Sequence, residues 1–255
     1  MTRYVVTAGG VRLAYEASGT GEPAMLFVHG WCCDRSYFEP QSRRFAAGHR
    51  VAALDLRGHG ASDRPEPGHG NYDIETLADD ALTVARDAGF ALPVMVGHSM
   101  GGLVALACAA RPGAVRAAVL VDPAPVLDER GRSYFARSVA DVAADEDGSW
   151  RGRFAARLLL PTDTARRQDI VTGGAAVPAP VAAAAMRGMA EFDGAGTLDR
   201  VRVPVLSIHA RRPEVGLREH PAVTIGQTVG AGHFPQLEVP DQVNAMIERF
   251  LAIRR

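Results

Sequence analysis

Ser99 stands in Gly97-His98-Ser99-Met100-Gly101-Gly102, directly behind the apolar run Pro93-Val94-Met95-Val96. The stretch that follows, Leu103-Val104-Ala105-Leu106-Ala107-Cys108-Ala109-Ala110, reads as a helix. A strand entering Gly-x-Ser-x-Gly and leaving as a helix predicts a nucleophile elbow, a sharp turn that exposes a serine hydroxyl at the sheet's edge. The flanking glycines are small because backbone and neighbouring strands crowd such a turn. A neutral hydroxyl is a poor nucleophile, so this chemistry needs a base within hydrogen-bond reach. The bland alternative for the same residues is a structural glycine-rich turn.

The chain that must position Ser99 has 255 residues, enough for one large domain or two small ones. Its apolar fraction of 47% and charged fraction of 22% are ordinary for a globular protein. A net charge of −1 gives no electrostatic case for nucleic acid or an anionic membrane. All 28 basic side chains are Arg, and Ala is abundant, as in GC-rich bacterial coding sequence. The start, Met1-Thr2-Arg3-Tyr4-Val5, lacks the apolar core of a signal peptide. No run of about 18 uninterrupted apolar residues occurs, so no membrane span is expected. Cys32, Cys33 and Cys108 form no even framework, and a reducing cytoplasm is the expected compartment. No Cys or His spacing suggests metal ligands, and neither metal nor cofactor is expected.

Short apolar runs alternate with helical patterns. Residues 4–7 and 11–16, joined through Gly9-Gly10, predict a hairpin. Residues 24–28, 51–56, 93–96, 117–121, 205–208 and 223–229 predict strands. Residues 35–47, 74–88 and 242–253 predict helices; the second has its apolar face at Leu77, Ala81, Val84 and Ala85. Such alternation implies an α/β fold: a mostly parallel sheet of about eight strands with helices on both faces. Residues 123–198 break the rhythm. Residues 128–144, 150–160 and 181–192 look helical, with breaks at Gly173-Gly174 and Pro178-Ala179-Pro180. That is too long for a plain crossover. It predicts a helical lid, or cap, inserted after strand six over a core of residues 1–122 and 199–255. An open α/β sheet places its ligands at that edge. A packing layer with no substrate role is the alternative.

Four motifs then stand in a telling order: His29-Gly30-Trp31, Asp55-Leu56-Arg57-Gly58-His59-Gly60-Ala61-Ser62-Asp63, residues 97–102, and Gly232-His233-Phe234. In that order the chain resembles the α/β-hydrolase superfamily over nearly its whole length, in its serine-nucleophile, esterase- and lipase-like branch. The motifs specify the fold far better than the reaction.

The resemblance implies roles. His233 follows Gly230-Ala231-Gly232, in a loop after the last strand, and would be the base that serves Ser99. His29 and His98 shape neighbouring loops in such proteins. The backbone N–H of Met100, at a helix N-terminus, and that of Trp31 would form the oxyanion hole. The acid departs from the usual pattern. Most members carry an Asp a few residues past strand seven, but Ser207-Ile208-His209-Ala210-Arg211-Arg212-Pro213-Glu214 has none. Asp122, at the end of strand six, is the first substitute, since some lipases and dehalogenases of the superfamily draw their acid from that place. Glu214 is the other. Either could fix the imidazole tautomer and stabilise the imidazolium. Asp55, Arg57 and His59 read as loop-holding groups. Cys32 and Cys33 read as small apolar loop residues. Phe135, Trp150, Phe154, Met186, Met189, Phe192 and Phe234, with Cys32, suggest an apolar pocket for a small apolar or aromatic acyl substrate.

Three functions compete at this level. The first is a serine hydrolase that cleaves a carboxylic ester or related acyl compound. The second rests on a further likeness, to cofactor-independent 2,4-dioxygenases of hydroxy-oxoquinolines, which share the fold. It lies in Gly30-Trp31-Cys32-Cys33-Asp34-Arg35, in an acid after strand six, and in His233-Phe234-Pro235 followed by Val239-Pro240-Asp241. There a His233–Asp122 pair would deprotonate the substrate. The third is a non-catalytic binding member of the fold.

Overall fold

A computed structural model describes residues 1–255 except 69, 125–127, 162–166, 212 and 254–255. Arg212, at the usual place of the acid, thus lies outside the described residues. The strands are β1 (Thr2–Val6), β2 (Arg12–Ser18), β3 (Met25–Val28), β4 (Val51–Leu54), β5 (Val94–His98), β6 (Ala117–Val121), β7 (Val205–His209) and β8 (Val223–Gln227). They form one sheet in the order β1-β2-β4-β3-β5-β6-β7-β8. β1 and β2 form an antiparallel hairpin, and β2 pairs antiparallel with β4. Every pairing from β4 through β3 to β8 is parallel.

Every residue of β3 to β7 is buried, as expected of strands covered on both faces. The period of two then sorts side chains into two cores. Leu26, Met95 and Leu120 join one; Phe27, Val96 and Val119 join the other.

The helices follow in chain order: α1 (Glu39–Phe45), α2 (Ile74–Asp87), α3 (Met100–Ala109), α4 (Glu129–Ala143), α5 (Ser149–Leu158), α6 (Arg167–Gly173), α7 (Ala179–Glu191), α8 (Gly194–Asp199), α9 (Val215–Glu219), α10 (Pro235–Glu238) and α11 (Pro240–Ile253). α2 and α3 fill the Leu26 core, and α1 and α11 the Phe27 core. On α2 the expected face, Leu77, Ala81, Val84 and Ala85, is buried. The helix expected over 35–47 is two pieces, a 3-10 turn at Arg35–Phe38 and then α1. Pro40 explains the break, because proline fits only a helix's first turn. α6, α8, α9 and α10 were not foreseen; each has seven residues or fewer, too short to show a period.

Between β6 and β7 the described residues carry α4 to α8 and no strand. α7 packs along α4. No single described helix is long and apolar enough to cross a membrane; only α6 with its 3-10 extension and α7, bent by 100°, meet that test as a pair.

The loop after β4 is tied down by its charges. Asp55 accepts the N–H groups of Arg35 and Ala61, each at 2.8 Å. Arg57 grips Asp80 on α2 with two bonds, of 2.6 and 2.7 Å. Such fork geometry suits a buried guanidinium and carboxylate.

Candidate active site

Ser99 sits where β5 turns into α3, at φ 53 and ψ −117. That is a strained backbone for a residue with a Cβ, and it turns the side chain out of the sheet. The turn closes only because its neighbours are glycines. A Cβ on Gly97 would lie 1.9 Å from the Gly101 carbonyl oxygen, and one on Gly101 2.2 Å from that of Val28. The Ser99 N–H donates to the Val121 carbonyl at 3.0 Å, which holds the elbow against the end of β6. Met100 opens α3, so its N–H is among those a helix leaves without an internal partner. The loop bearing Trp31 lies beside the elbow: a Cβ on Gly30 would be 3.2 Å from Ser99 Cβ.

Asp122 ends β6 in the left-handed region, φ 42, which Asp tolerates better than most residues. Its N–H donates to the Ile208 carbonyl at 2.7 Å, and its Oδ1 accepts the Ala210 N–H at 3.0 Å. Asp122 is therefore tied to the end of β7 through Ile208 and Ala210. His233 is placed by α5 and α10. Its N–H donates to the Leu158 carbonyl at 2.9 Å, and Glu238 accepts the N–H groups of Gly232 and Phe234 on either side, at 2.6 and 2.9 Å. These supports bring the three side chains into a line. His233 Nε2 is 2.9 Å from Ser99 Oγ, and His233 Nδ1 is 2.7 Å from Asp122 Oδ2. Burial acts to raise the Asp122 pKa, but the hydrogen bond and charge of His233, with the Ala210 N–H, bring it below the ordinary value. Asp122 is thus a carboxylate at neutral pH. Nδ1 of His233 pairs with Asp122, whereas Glu214 lies in the cavity wall.

The other histidines near the elbow are neutral spacers. His98 Nε2 donates to the His233 carbonyl at 2.7 Å, and the two rings are 4.8 Å apart. His29 Nδ1 donates to the Gly30 carbonyl at 2.8 Å while Nε2 accepts the Leu56 N–H at 3.0 Å. His59 bonds the Arg57 carbonyl at 2.9 Å and accepts the Cys32 N–H at 3.3 Å. In His29 and His59, one donating and one accepting nitrogen define a neutral imidazole. Burial, and then a neighbouring histidine, pushes His59 and His98 down to about 3; burial also lowers His29. Their folded pKa values lie below the ordinary 6.5. The unfolded chain therefore takes up protons that the folded one refuses. Stability is complete above pH 6.5 and falls as pH drops from there towards 3. The urea midpoint should decline steadily between about pH 6.5 and 4; a flat midpoint over that interval would contradict neutral buried rings.

A cavity of about 380 Å³ opens on this line of residues. Trp31, Cys32, Phe135, Phe154, Met189 and Phe234 all line it. Trp31 bridges to the helical layer: its indole N–H donates to the Ala182 carbonyl at 2.8 Å, and its ring meets Phe154 edge-on at 5.8 Å. Trp150 stacks on Phe154 at 5.4 Å. Met186, Phe192 and Trp150 differ from the expectation. Met186 and Phe192 are buried in the main core, Trp150 packs partly buried against it, and none of the three is among the cavity's lining residues. Along the helix pair of α4 and α7, Ala182, Ala185 and Met186 are wholly buried, while Met189, one turn on, reaches the cavity. Burial pushes the Cys32 thiol up to about 12 and Cys33 well above its ordinary value, so both stay protonated, small and apolar.

The sequence alone did not point to Arg151, His209 or Arg211 as wall residues. Arg151 is buried and bonded to Asp145 at 2.8 Å and to the Gly174 carbonyl at 3.0 Å. His209 shares a 2.7 Å hydrogen bond with Ser207 on the same strand. For His209, the last residue of β7, and Arg211, two residues beyond it, position at that strand end was the available signal, because it faces Asp122; Arg151, on α5, carried none. Among the described residues no group of three or more His, Cys, Asp or Glu side chains could hold a metal ion.

Known proteins agree with this architecture. The 2-(acetamidomethylene)succinate hydrolase of Mesorhizobium japonicum is 36% identical over 124 residues, 48% of this chain and 43% of that protein. The matched segment thus spans less than half of that relative's length. The pimeloyl-[acyl-carrier protein] methyl ester esterase of Xanthomonas campestris pv. campestris is 29% identical over 260 residues, 90% of this chain and 95% of that one. The structure of a thermophilic esterase from Thermogutta terrifontis superposes with a TM-score of 0.85 at 27% identity, covering 100% of this chain and 99% of that one. Residues 23–210 match the sequence profile of the alpha/beta hydrolase fold. With that match across most of the chain, the eight-stranded sheet and the serine elbow at the end of β5, the protein belongs to the α/β-hydrolase family.

Proposed function

We propose that the protein is a serine hydrolase acting on a carboxylic ester or a closely related acyl compound. The observation that carries this reading is the unbroken line from Ser99 Oγ through His233, 2.9 Å, to Asp122, 2.7 Å. Ser99 Oγ bonds the substrate's carbonyl carbon as its proton passes to His233 Nε2. Negative charge on the former carbonyl oxygen is met by the N–H groups of Met100 and Trp31. His233 then gives the proton to the leaving alkoxide, the carbon–oxygen bond breaks, and an acyl-enzyme remains. Water repeats the sequence and releases the acid. Asp122 keeps the imidazole in the tautomer that presents Nε2 to Ser99 and stabilises the imidazolium. Residues 123–198 act as a lid over the cavity, with Trp31 clamped to it through Ala182. The names of the relatives, a hydrolase and two esterases, support the same class.

Intact mass after treatment with a fluorophosphonate tests this directly. One adduct is expected on the wild-type protein, together with turnover of a short p-nitrophenyl ester. A protein that takes no adduct and turns over no ester is not a serine hydrolase.

One observation favours a second reading. The acid comes from β6 and the cavity is walled by Trp31, Phe135 and Phe154, as the likeness to the cofactor-independent dioxygenases would require. In that case His233 deprotonates a hydroxylated heteroaromatic and the carbanion reacts with oxygen. Oxygen uptake separates the two, since an esterase consumes none.

A further inference from the structure

The charges in the cavity wall are unevenly committed. Asp122 is held by His233 and by the Ala210 N–H. Arg151 uses its guanidinium on Asp145 and on the carbonyls of Gly174 and Val177. Glu214 also has a partner. Arg211 differs: it lines the same cavity, is exposed, and carries no hydrogen bond or ion pair among the described residues. Its place is not casual. Ala210, the residue before it, donates its N–H to Asp122 at 3.0 Å, so Arg211 begins one residue beyond the acid's anchor.

We propose that Arg211 binds an anionic group of the substrate, so that the ester cleaved at Ser99 is the monoester of a short dicarboxylic acid or an equally placed anion. The assignment rests on the ester-hydrolase reading above and names its substrate class. A guanidinium presents a planar fork of donors that matches a carboxylate with two parallel bonds. The surrounding wall is largely apolar and aromatic, with Trp31, Phe135, Phe154, Leu158 and Phe234, and low local polarity strengthens such a bond over one in open water. A cavity of about 380 Å³ is about 9 Å across if spherical, so carboxylate and scissile ester must be a few bonds apart. A neutral ester would leave Arg211, the one uncommitted wall cation among the described residues, to water.

The test compares two substrates of nearly equal shape, monomethyl glutarate and dimethyl glutarate, as the ratio of their kcat/KM values. One charge-assisted hydrogen-bonded pair is worth about tenfold or more. Arg211→Gln should therefore lower the ratio of monoester to diester about tenfold or more, and Arg211→Lys should keep most of it. Raising salt should erode the wild-type ratio. A ratio in Arg211→Gln within about twofold of wild type overturns the proposal. If the wild type turns over neither ester, the ester reading falls, and binding of glutarate itself then decides the anion site. A dissociation constant weakened about tenfold in Arg211→Gln keeps the site; equal binding, or none, removes it.

Discussion

Replacing Ser99 by alanine is expected to lower kcat by about 10⁵-fold or more and to abolish fluorophosphonate labelling. The size follows from the geometry. Ser99 Oγ is the only side-chain atom that His233 Nε2 bonds among the described contacts, at 2.9 Å, and burial keeps the nearby Cys32 and Cys33 thiols protonated. Alanine keeps the Cβ that the elbow already accommodates at φ 53, so folding should change by less than about 1 kcal/mol. Loss of activity in a stable variant is then a chemical loss. In the proposed mechanism the three residues act as a unit, so removing His233 as well should cost little more. A Ser99→Ala, His233→Ala double variant is expected within a few-fold of the single one. Unchanged turnover in Ser99→Ala would remove the acyl-enzyme and leave His233 with Asp122 as the working pair, which is what the oxygenase reading needs.

Much of this arrangement was legible because it is local. The elbow reads from six consecutive residues, and close packing at Gly97 and Gly101 leaves no other choice there. The strands read because burial on two faces forces continuous apolar runs, and Met25 to Val28 divides into the two cores by simple alternation. The helical layer read in outline, since α4 and α7 are long enough to show a face, whereas α6 and α8 are not. What failed to read depends on three-dimensional placement. Met186 and Met189 look alike in sequence, and only the packing of α7 along α4 separates core from cavity. The acid was ambiguous for the same reason. Asp122 and His233 are 111 residues apart, and the choice between Asp122 and Glu214 turns on which strand end the His233 loop meets. Arg211 was passed over because only its place just after β7 marks it, and its residue type does not separate a cavity-wall arginine from any other exposed one.

That ambiguity yields the second large effect. Asp122→Asn should lower kcat/KM by about 10³- to 10⁴-fold, while Glu214→Gln should stay within about threefold. Asparagine matches the shape of the acid, and its oxygen can still accept the Ala210 N–H that Oδ1 now takes at 3.0 Å. The amide group then faces His233 Nδ1, now 2.7 Å from Oδ2, with a donor in place of an acceptor. The imidazole answers by carrying its proton on Nε2, where it points at Ser99 Oγ and can accept nothing from it. The charge that would stabilise the imidazolium is lost as well. Because Asp122 is held below its ordinary pKa, the wild type keeps this carboxylate charged across the neutral range, so the defect should persist over all of it. It should ease only as alkaline pH supplies hydroxide as an outside base. Labelling by the fluorophosphonate should slow in parallel with turnover, since both need Ser99 activated. A Glu214→Gln variant that loses as much as Asp122→Asn would move the acid to the β7 loop. An Asp122→Asn variant within about tenfold of wild type would mean that His233 needs no acid from β6, and with that the triad would reduce to a pair.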